Sequence, residues 1–275
     1  MASLLIAAAL GLVLYAASSL TFMASEPLSD PRFGPQNACA LKELKDGRTG
    51  FTVGPDGAVA VYSGSSLVLC EEGQRPSARV FELKGVTSAA LDFKGTLWVA
   101  RRAEEQVELY KLTVGATELA RVGELSPIAL VGHAQGVIAL ESSGRLSSLS
   151  PDGAVLAVAQ LPEPPAKQLE LATNADGTLV ALTTAGGVFV LDTAKLEVLR
   201  AESPCEVQWA WWLERSDDLL LSCGPEGSFS LKLDARTGAT EETRRQKSRP
   251  SVRVPLLGHY VEDCGGLPCS TRPPI

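Results

Sequence analysis

The chain has 275 residues, of which 45% are hydrophobic and 21% are charged, so it is a packed domain and not a disordered chain. Its net charge of −7 opposes binding to a polyanion, and no basic stripe overcomes that charge, which predicts no nucleic-acid partner. The densest basic run, residues 244–249, is interpreted as a solvated strand end or loop, with contact to a partner's acidic surface as the alternative.

The N-terminal segment, residues 2–24, is uncharged and rich in Ala, Leu, Val and Ile. As a helix it would extend ~34 Å, enough to cross a hydrocarbon core of ~30 Å. We therefore predict a transmembrane anchor or signal peptide over residues 1–25. A cleaved signal peptide needs a basic start, and the first Lys or Arg is Arg32, so the anchor is favoured. Residues 26–37 contain three prolines and read as a linker, followed by one domain over residues 38–275.

A strand–turn–strand pattern recurs through that domain. The turns are centred on six positions, namely Gly57, Gly95, Gly136, Gly177, Asp217 and Gly258. The intervals between them are 38, 41, 41, 40 and 41 residues. A steady period near 40 with this content is typical of β-propeller blades.

Each repeat is predicted to supply four strands, with blades ending near Lys84, Glu124, Pro162, Glu202 and Gln246. The second strands (AVAVY, TLWVA, VIAL, TLVAL, DLLLS) are apolar on both faces, as in sheets covered on both sides. Residues 107–112 and 196–200 alternate apolar and polar, which predicts half-exposed outer strands.

The two ends of the domain are predicted to build the last blade together. The sixth repeat, residues 251–263, has room for two strands before a Gly- and Pro-containing tail. Residues 38–47 (ACALKELKDG) align with the outer-strand sequence of residues 78–85 (ARVFELKG). The predicted fold is therefore an all-β, six-bladed propeller closed by an N-terminal strand, with five blades plus a tail as the alternative.

This organisation resembles the WD40-like propellers with short NHL, YVTN and two-component-sensor repeats. The residues that carry the resemblance are Gly95-Thr96-Leu97-Trp98-Val99 and the Asp-Gly turns at 56–57 and 176–177. The resemblance implies a rigid disc that binds proteins or ligands, or less often catalyses a reaction.

The six cysteines are an even number that an oxidising compartment allows to pair. Strand direction alternates within a blade, which favours the pairs Cys205–Cys223, Cys264–Cys269 and Cys39–Cys70. The rival is Cys39 joined to Cys264 or Cys269. No cysteine lies in a CxxC motif or at zinc spacing, so we predict no metal site.

The sequence contains no catalytic set that can be assembled with conviction. His133 and His259 fall at equivalent turns of distant blades, and no Ser-His-Asp arrangement is evident. Some six-bladed propellers are lactonases that hold Ca²⁺ at the channel mouth, for which Asp92 and Asn174 are scattered candidates. We expect a non-catalytic protein that needs no cofactor.

Three of the four tryptophans, Trp209, Trp211 and Trp212, fall in one first strand. They predict a bulky filling of the blade interfaces or, alternatively, an aromatic binding patch. Arg48, Arg102 and Arg249 are candidate binding residues, because they lie at the face with the turns between second and third strands.

The sequence as a whole favours a membrane-tethered scaffold or accessory subunit that binds protein partners in the bacterial cell envelope. The alternative is a secreted lactonase-like hydrolase or a carbohydrate-binding module.

Overall fold

The computed structural model describes residues 48–55, 58–71, 77–162, 164–165, 170–184, 187–202, 204–213, 217–224, 229–243, 252–254, 259–263 and 268–271. The predicted anchor, the linker and the N-terminal strand at residues 38–47 lie outside these ranges. Within them the regular structure is entirely β. None of the described segments forms a long apolar helix of the kind that could cross a membrane.

The strands form successive antiparallel sheets, named here as blades in chain order. Blade one holds β1 (Arg48–Val53), β2 (Val59–Ser63), β3 (Leu67–Glu71) and β4 (Ser77–Phe81). Blade two holds β5 (Val86–Leu91), β6 (Leu97–Ala103), β7 (Gln106–Leu112) and β8 (Ala120–Arg121). Blade three holds β9 (Pro127–His133), β10 (Gly136–Glu141), β11 (Arg145–Leu149) and β12 (Val155–Gln160).

Blade four holds β13 (Glu170–Thr173), β14 (Leu179–Thr184), β15 (Gly187–Asp192) and β16 (Val198–Glu202). Blade five holds β17 (Val207–Trp212), β18 (Asp218–Cys223), β19 (Phe229–Asp234) and β20 (Thr240–Thr243). A further sheet holds β21 (Val252–Val254), β22 (His259–Asp263) and β23 (Pro268–Thr271).

Each sheet is an up-and-down meander in which every strand pairs with the next along the chain. The first strands of neighbouring blades lie side by side, β1 against β5, β5 against β9, β9 against β13 and β13 against β17. Meanders that stack in this way through their inner strands are the blades of a β-propeller.

The apolar parts of the second strands are buried on both faces, as predicted. All six residues of β14 are buried, and in β10 only Glu141 is partly exposed. The apolar side chains collect in layers between blades, one between blades one and two, one between two and three, one between three and four, and one between four and five. The core is therefore a series of layers between sheets.

Two sequence predictions about strands were wrong. Residues 107–112 belong to the third strand of blade two, because the two-residue β8 pairs outside it. The predicted C-terminal tail contains β23, which begins at Pro268 and pairs with β22. Proline is tolerated at the first position of a strand, and the Gly and Pro content of the tail concealed this one.

Gly132 marks the closest approach between blades two and three. A Cβ atom placed there would lie 2.0 Å from the Leu91 carbonyl oxygen and 2.9 Å from the Asp92 Cα. These neighbours are backbone atoms of β5 and its turn, which are fixed by their own hydrogen bonds. Only glycine therefore fits at this position.

We expect Gly132→Ala to lower the free energy of unfolding by about 2 kcal/mol or more, because the added methyl group pushes two blades apart. Gly64→Ala is the matched control, since a Cβ at Gly64 meets no atom within 4 Å. Urea unfolding midpoints of both variants would measure the difference. Equal stability of the two variants would contradict the close packing of β9 on β5.

Candidate functional site

Asp92 closes the turn between β5 and β6 with a fully buried carboxylate. Its Oδ1 accepts the backbone N–H groups of Lys94 (2.9 Å) and Thr96 (2.8 Å). Its Oδ2 accepts the indole N–H of Trp98 at 3.0 Å. No described basic side chain forms an ion pair with it, so these three donors satisfy the buried charge.

Asn174 occupies the corresponding position in blade four. Its Oδ1 accepts the N–H groups of Thr178 and Leu179, each at 2.9 Å. The residue that corresponds to Trp98 is Val180, which has no side-chain donor, and here an uncharged amide is sufficient. Both sequences follow the pattern Asp or Asn, then two residues, then Gly-Thr-Leu, which is the sequence signal for this turn.

His133 ends β9 and is fully buried. Its Nδ1 accepts the N–H of Gln135 at 3.4 Å, so Nε2 carries the proton and donates to Ser148 Oγ at 3.1 Å. Burial lowers the pKa of His133 to about 4, although the Asp92 charge and the Val137 backbone act in the opposite direction. In this arrangement the imidazole is a neutral donor and does not withdraw a proton from Ser148.

The turns between first and second strands are joined from blade to blade, and we call these contacts the turn-face network. Between blades two and three, the Phe93 N–H donates to the His133 carbonyl at 3.5 Å. Between blades three and four, the Ala134 N–H donates to the Gly177 carbonyl at 3.1 Å. Asn174 Nδ2 then donates to Asp217 Oδ1 of blade five at 3.0 Å.

Asp217 ends the described part of this network at an ion pair. Its Oδ2 accepts the Arg236 Nε–H at 2.7 Å and also contacts the Arg236 Nη2 group. Asp217 thus bridges two amino-acid side chains from different blades, Asn174 and Arg236. The candidate Ca²⁺ ligands Asp92 and Asn174 are therefore both engaged in holding turns and blades, and they lie in blades two and four. Across the described residues no cluster of metal-ligating side chains is found.

Of the predicted aromatic set, Trp212 fills the interface between blades four and five. It is only 7% exposed, and its indole N–H donates to the Ala172 carbonyl of β13 at 2.9 Å. Trp209 and Trp211 lie in β17 opposite Ser222 and Leu220, and their side chains lie outside the described part of the structure. The binding role of these two residues stays a prediction.

The structure places two of the candidate arginines at the same face of the molecule. Arg48 begins β1 and Arg102 lies near the end of β6, which by antiparallel order is the same end of the two blades. Arg102 is exposed beside Glu104 and Glu105. Arg249 lies outside the described residues. The backbone of His259 begins β22, and its side chain lies outside the described part of the structure.

The predicted bond between Cys205 and Cys223 is confirmed, with a Cα–Cα distance of 5.7 Å. It links the segment entering β17 to the end of β18. Cys70 is also disulfide-bonded. Its predicted partner Cys39 lies outside the described residues, as does Cys264, so those two pairings stay predictions.

No protein-family profile matches the chain, and no curated protein matches it by sequence. Among solved structures it is similar to a chain in the crystal structure of the mitotic checkpoint complex, with a TM-score of 0.56 and 15% identity. The match covers 74% of this chain and 65% of that one, so this chain spans less than two thirds of it. Together with the stacked meanders, this likeness establishes the WD40-like β-propeller fold.

Two further structures align with TM-scores of 0.49. One is BamB from Moraxella catarrhalis, at 15% identity over 70% of this chain and 60% of that chain. The other is the WD40 beta propeller domain of Doa1, at 12% identity over 74% of this chain and 71% of that chain.

The Asp92–Trp98 hydrogen bond can be tested with a double-mutant cycle. Asp92→Asn turns an amide donor toward the indole N–H, and Trp98→Phe deprives the carboxylate of a donor. We expect each single variant to lose about 1–3 kcal/mol of stability or more, with a coupling energy of about 1–2 kcal/mol between them. Urea unfolding of the four proteins gives this coupling, and additive losses would contradict a direct interaction.

Acid should destabilise the fold through His133. The unfolded chain binds a proton on this imidazole near pH 6.5, whereas the folded chain binds it only near pH 4. The contribution of neutral His133 to the free energy of unfolding is therefore complete above pH 6.5. It decreases by up to about 3 kcal/mol as the pH drops toward 4. His133→Gln should flatten the dependence of the unfolding free energy on pH between about 6.5 and 5. If the unfolding free energy of His133→Gln depends on pH as strongly as that of the wild type, groups other than His133 cause the dependence.

Proposed function

We propose that this chain is a non-catalytic, membrane-tethered β-propeller that binds another protein outside the cytoplasm, as a scaffold or accessory subunit of an envelope complex. The observation that carries the proposal is that the buried polar side chains at the turns between first and second strands are used in structural contacts. Asp92 holds a turn and an indole, Asn174 joins two blades, and His133 donates to Ser148. Asp92 and His133 thus hold strands together within their own blades, and Asn174 joins two blades, so groups with catalytic potential serve as structural contacts.

The location outside the cytoplasm is supported by two separate features. The Cys205–Cys223 bond is of a kind that persists in oxidising compartments. Residues 2–24 have the length and composition of a membrane span, and residues 26–37 would set the domain a short distance from the bilayer. We also propose that six blades form the ring, with residues 38–47 as the fourth strand beside the three-stranded sheet.

The binding face is proposed to be the one with the turns between second and third strands. In blade two, this face presents Arg102, Glu104 and Glu105, which are all exposed. Glu104 is held at a positive φ of 56°, so its side chain is displayed on a tight and defined turn. Loops fixed by rigid strands in this way suit recognition of a protein surface.

The proposal predicts a stoichiometric companion when the full-length protein is gently extracted from membranes of its own host. Native mass spectrometry would show a species heavier than the 28.9 kDa chain and would identify the partner. Arg102→Glu should weaken that complex about tenfold or more if the charged face binds it. Lys195→Glu is the control, since this exposed lysine lies on the opposite face, between β15 and β16.

A lone chain that retains Met1 would overturn the subunit role and direct attention to small ligands and Ca²⁺. A lone chain about 2 kDa lighter would show that the N-terminal segment is cleaved. That result would favour the secreted hydrolase or the carbohydrate-binding module.

A further inference from the structure

The outer strands of the described blades differ in one property, which is the charge that they carry. Four of the five contain ionisable side chains: Arg79 in β4, Arg121 in β8, Arg200 and Glu202 in β16, and Glu241 and Glu242 in β20. The sequence of β12 is Val-Leu-Ala-Val-Ala-Gln, without any charge. Charged residues on an edge strand oppose pairing with another chain, and among the outer strands of the five four-stranded blades β12 is the one that lacks this protection.

The apolar side chains of β12 are also unusually exposed. Val155 is 54% exposed, Leu156 47% and Val158 50%. Ala157 and Ala159 instead pack on the layer between blades three and four. Leu156 and Val158 thus stand on the opposite face of the strand, where no described side chain covers them fully.

The backbone of β12 is aligned to accept a further strand. It is the outermost strand of its sheet, and no other described strand pairs with its free edge. The Leu161 N–H donates to the Gly144 carbonyl at 2.9 Å. Because antiparallel ladders alternate, the N–H and C=O groups of Val158 and Gln160 point away from β11.

A bulge interrupts the pairing with β11 between Ser148 and Leu149, opposite Leu156. Bulges also discourage pairing at an edge. This one lies at the beginning of β12, and the register with β11 is regular from Ala157 to Gln160. Val158 is therefore central to the part of the edge that can accept a partner.

We propose that β12 pairs antiparallel with β12 of a second copy of this chain, across a two-fold axis at Val158. In that register each Val158 lies opposite its own counterpart, and Ala157 lies opposite Ala159 of the second copy. The outward backbone groups of the two Val158 residues form a hydrogen-bonded pair across the axis. The small alanines lie in the closer, non-hydrogen-bonded positions.

Charge favours a second copy as the occupant of this edge. Two-fold pairing brings a strand against itself, so any charged strand meets the same charges again. For β20 this would place Glu241 and Glu242 among their counterparts, which is destabilising. The uncharged β12 meets an equally uncharged and apolar strand, and the contact is self-complementary.

Strand addition alone buries a small interface, below the roughly 1,200 Å² of a stable complex. We therefore expect reversible dimerisation with a dissociation constant on the order of micromolar. The net charge of −7 on each copy makes the dimer tighter as salt screens the repulsion. This self-association is independent of the partner protein proposed above.

The test is sedimentation of the full-length chain in a mild non-ionic detergent, from about 1 µM to about 200 µM. We expect a monomer–dimer equilibrium for the wild type. Val158→Lys should raise the dissociation constant about tenfold or more, because it places like charges directly opposite each other. Val80→Lys is the matched control, since Val80 is a 45% exposed valine on the outer strand of blade one.

A charge exchange distinguishes lost pairing from lost folding. Val158→Lys and Val158→Glu should each be monomeric when alone and should form a mixed dimer when combined, because opposite charges then face each other across the axis. Monomers at every wild-type concentration would overturn the proposal. So would a dimer unchanged by Val158→Lys, an equal loss in Val80→Lys, or the absence of a mixed dimer.

Discussion

The described blades stack face to face, so that blades two, three and four are each covered on both faces, and the rest of the structure depends on that constraint. The second strands can be apolar throughout only because neighbouring blades exclude water from both sides, as for β14. Polar groups at the ends of such strands have little access to water. They must find partners within the protein, which is why Asp92 and Asn174 each accept several N–H groups.

The same constraint decided what could be predicted from the sequence. The order of strands within blades one to five, the burial of the second strands and the Cys205–Cys223 bond follow from a repeat of near-constant length and from strand direction, so they were predicted correctly. The short β8 and the late β23 were not, since neither shows a clear apolar pattern and pairing with a neighbour defines them. Tertiary context overrides local sequence preference in such strands.

The candidate functional site shows more clearly why the roles of residues could not be predicted from the sequence. The sequence identified Asp92, Asn174 and His133 but not their roles, because those roles depend on partners in other strands or blades. Trp98 lies six residues after Asp92, and only the folded hairpin turns its indole toward the carboxylate. Likewise, Ser148 becomes the partner of His133 only when β11 packs beside β10.

The two-residue β8 has a consequence for how this molecule could change over time. The chain before it has an exposed tip at Val114 and Gly115, where a Cβ on the glycine would meet no atom within 4 Å. Extra residues at that tip would lengthen the rim without entering the layers between blades, and longer surface loops cost little entropy. Blade two thus offers a place where the chain can acquire insertions while the contacts between the described blades stay the same.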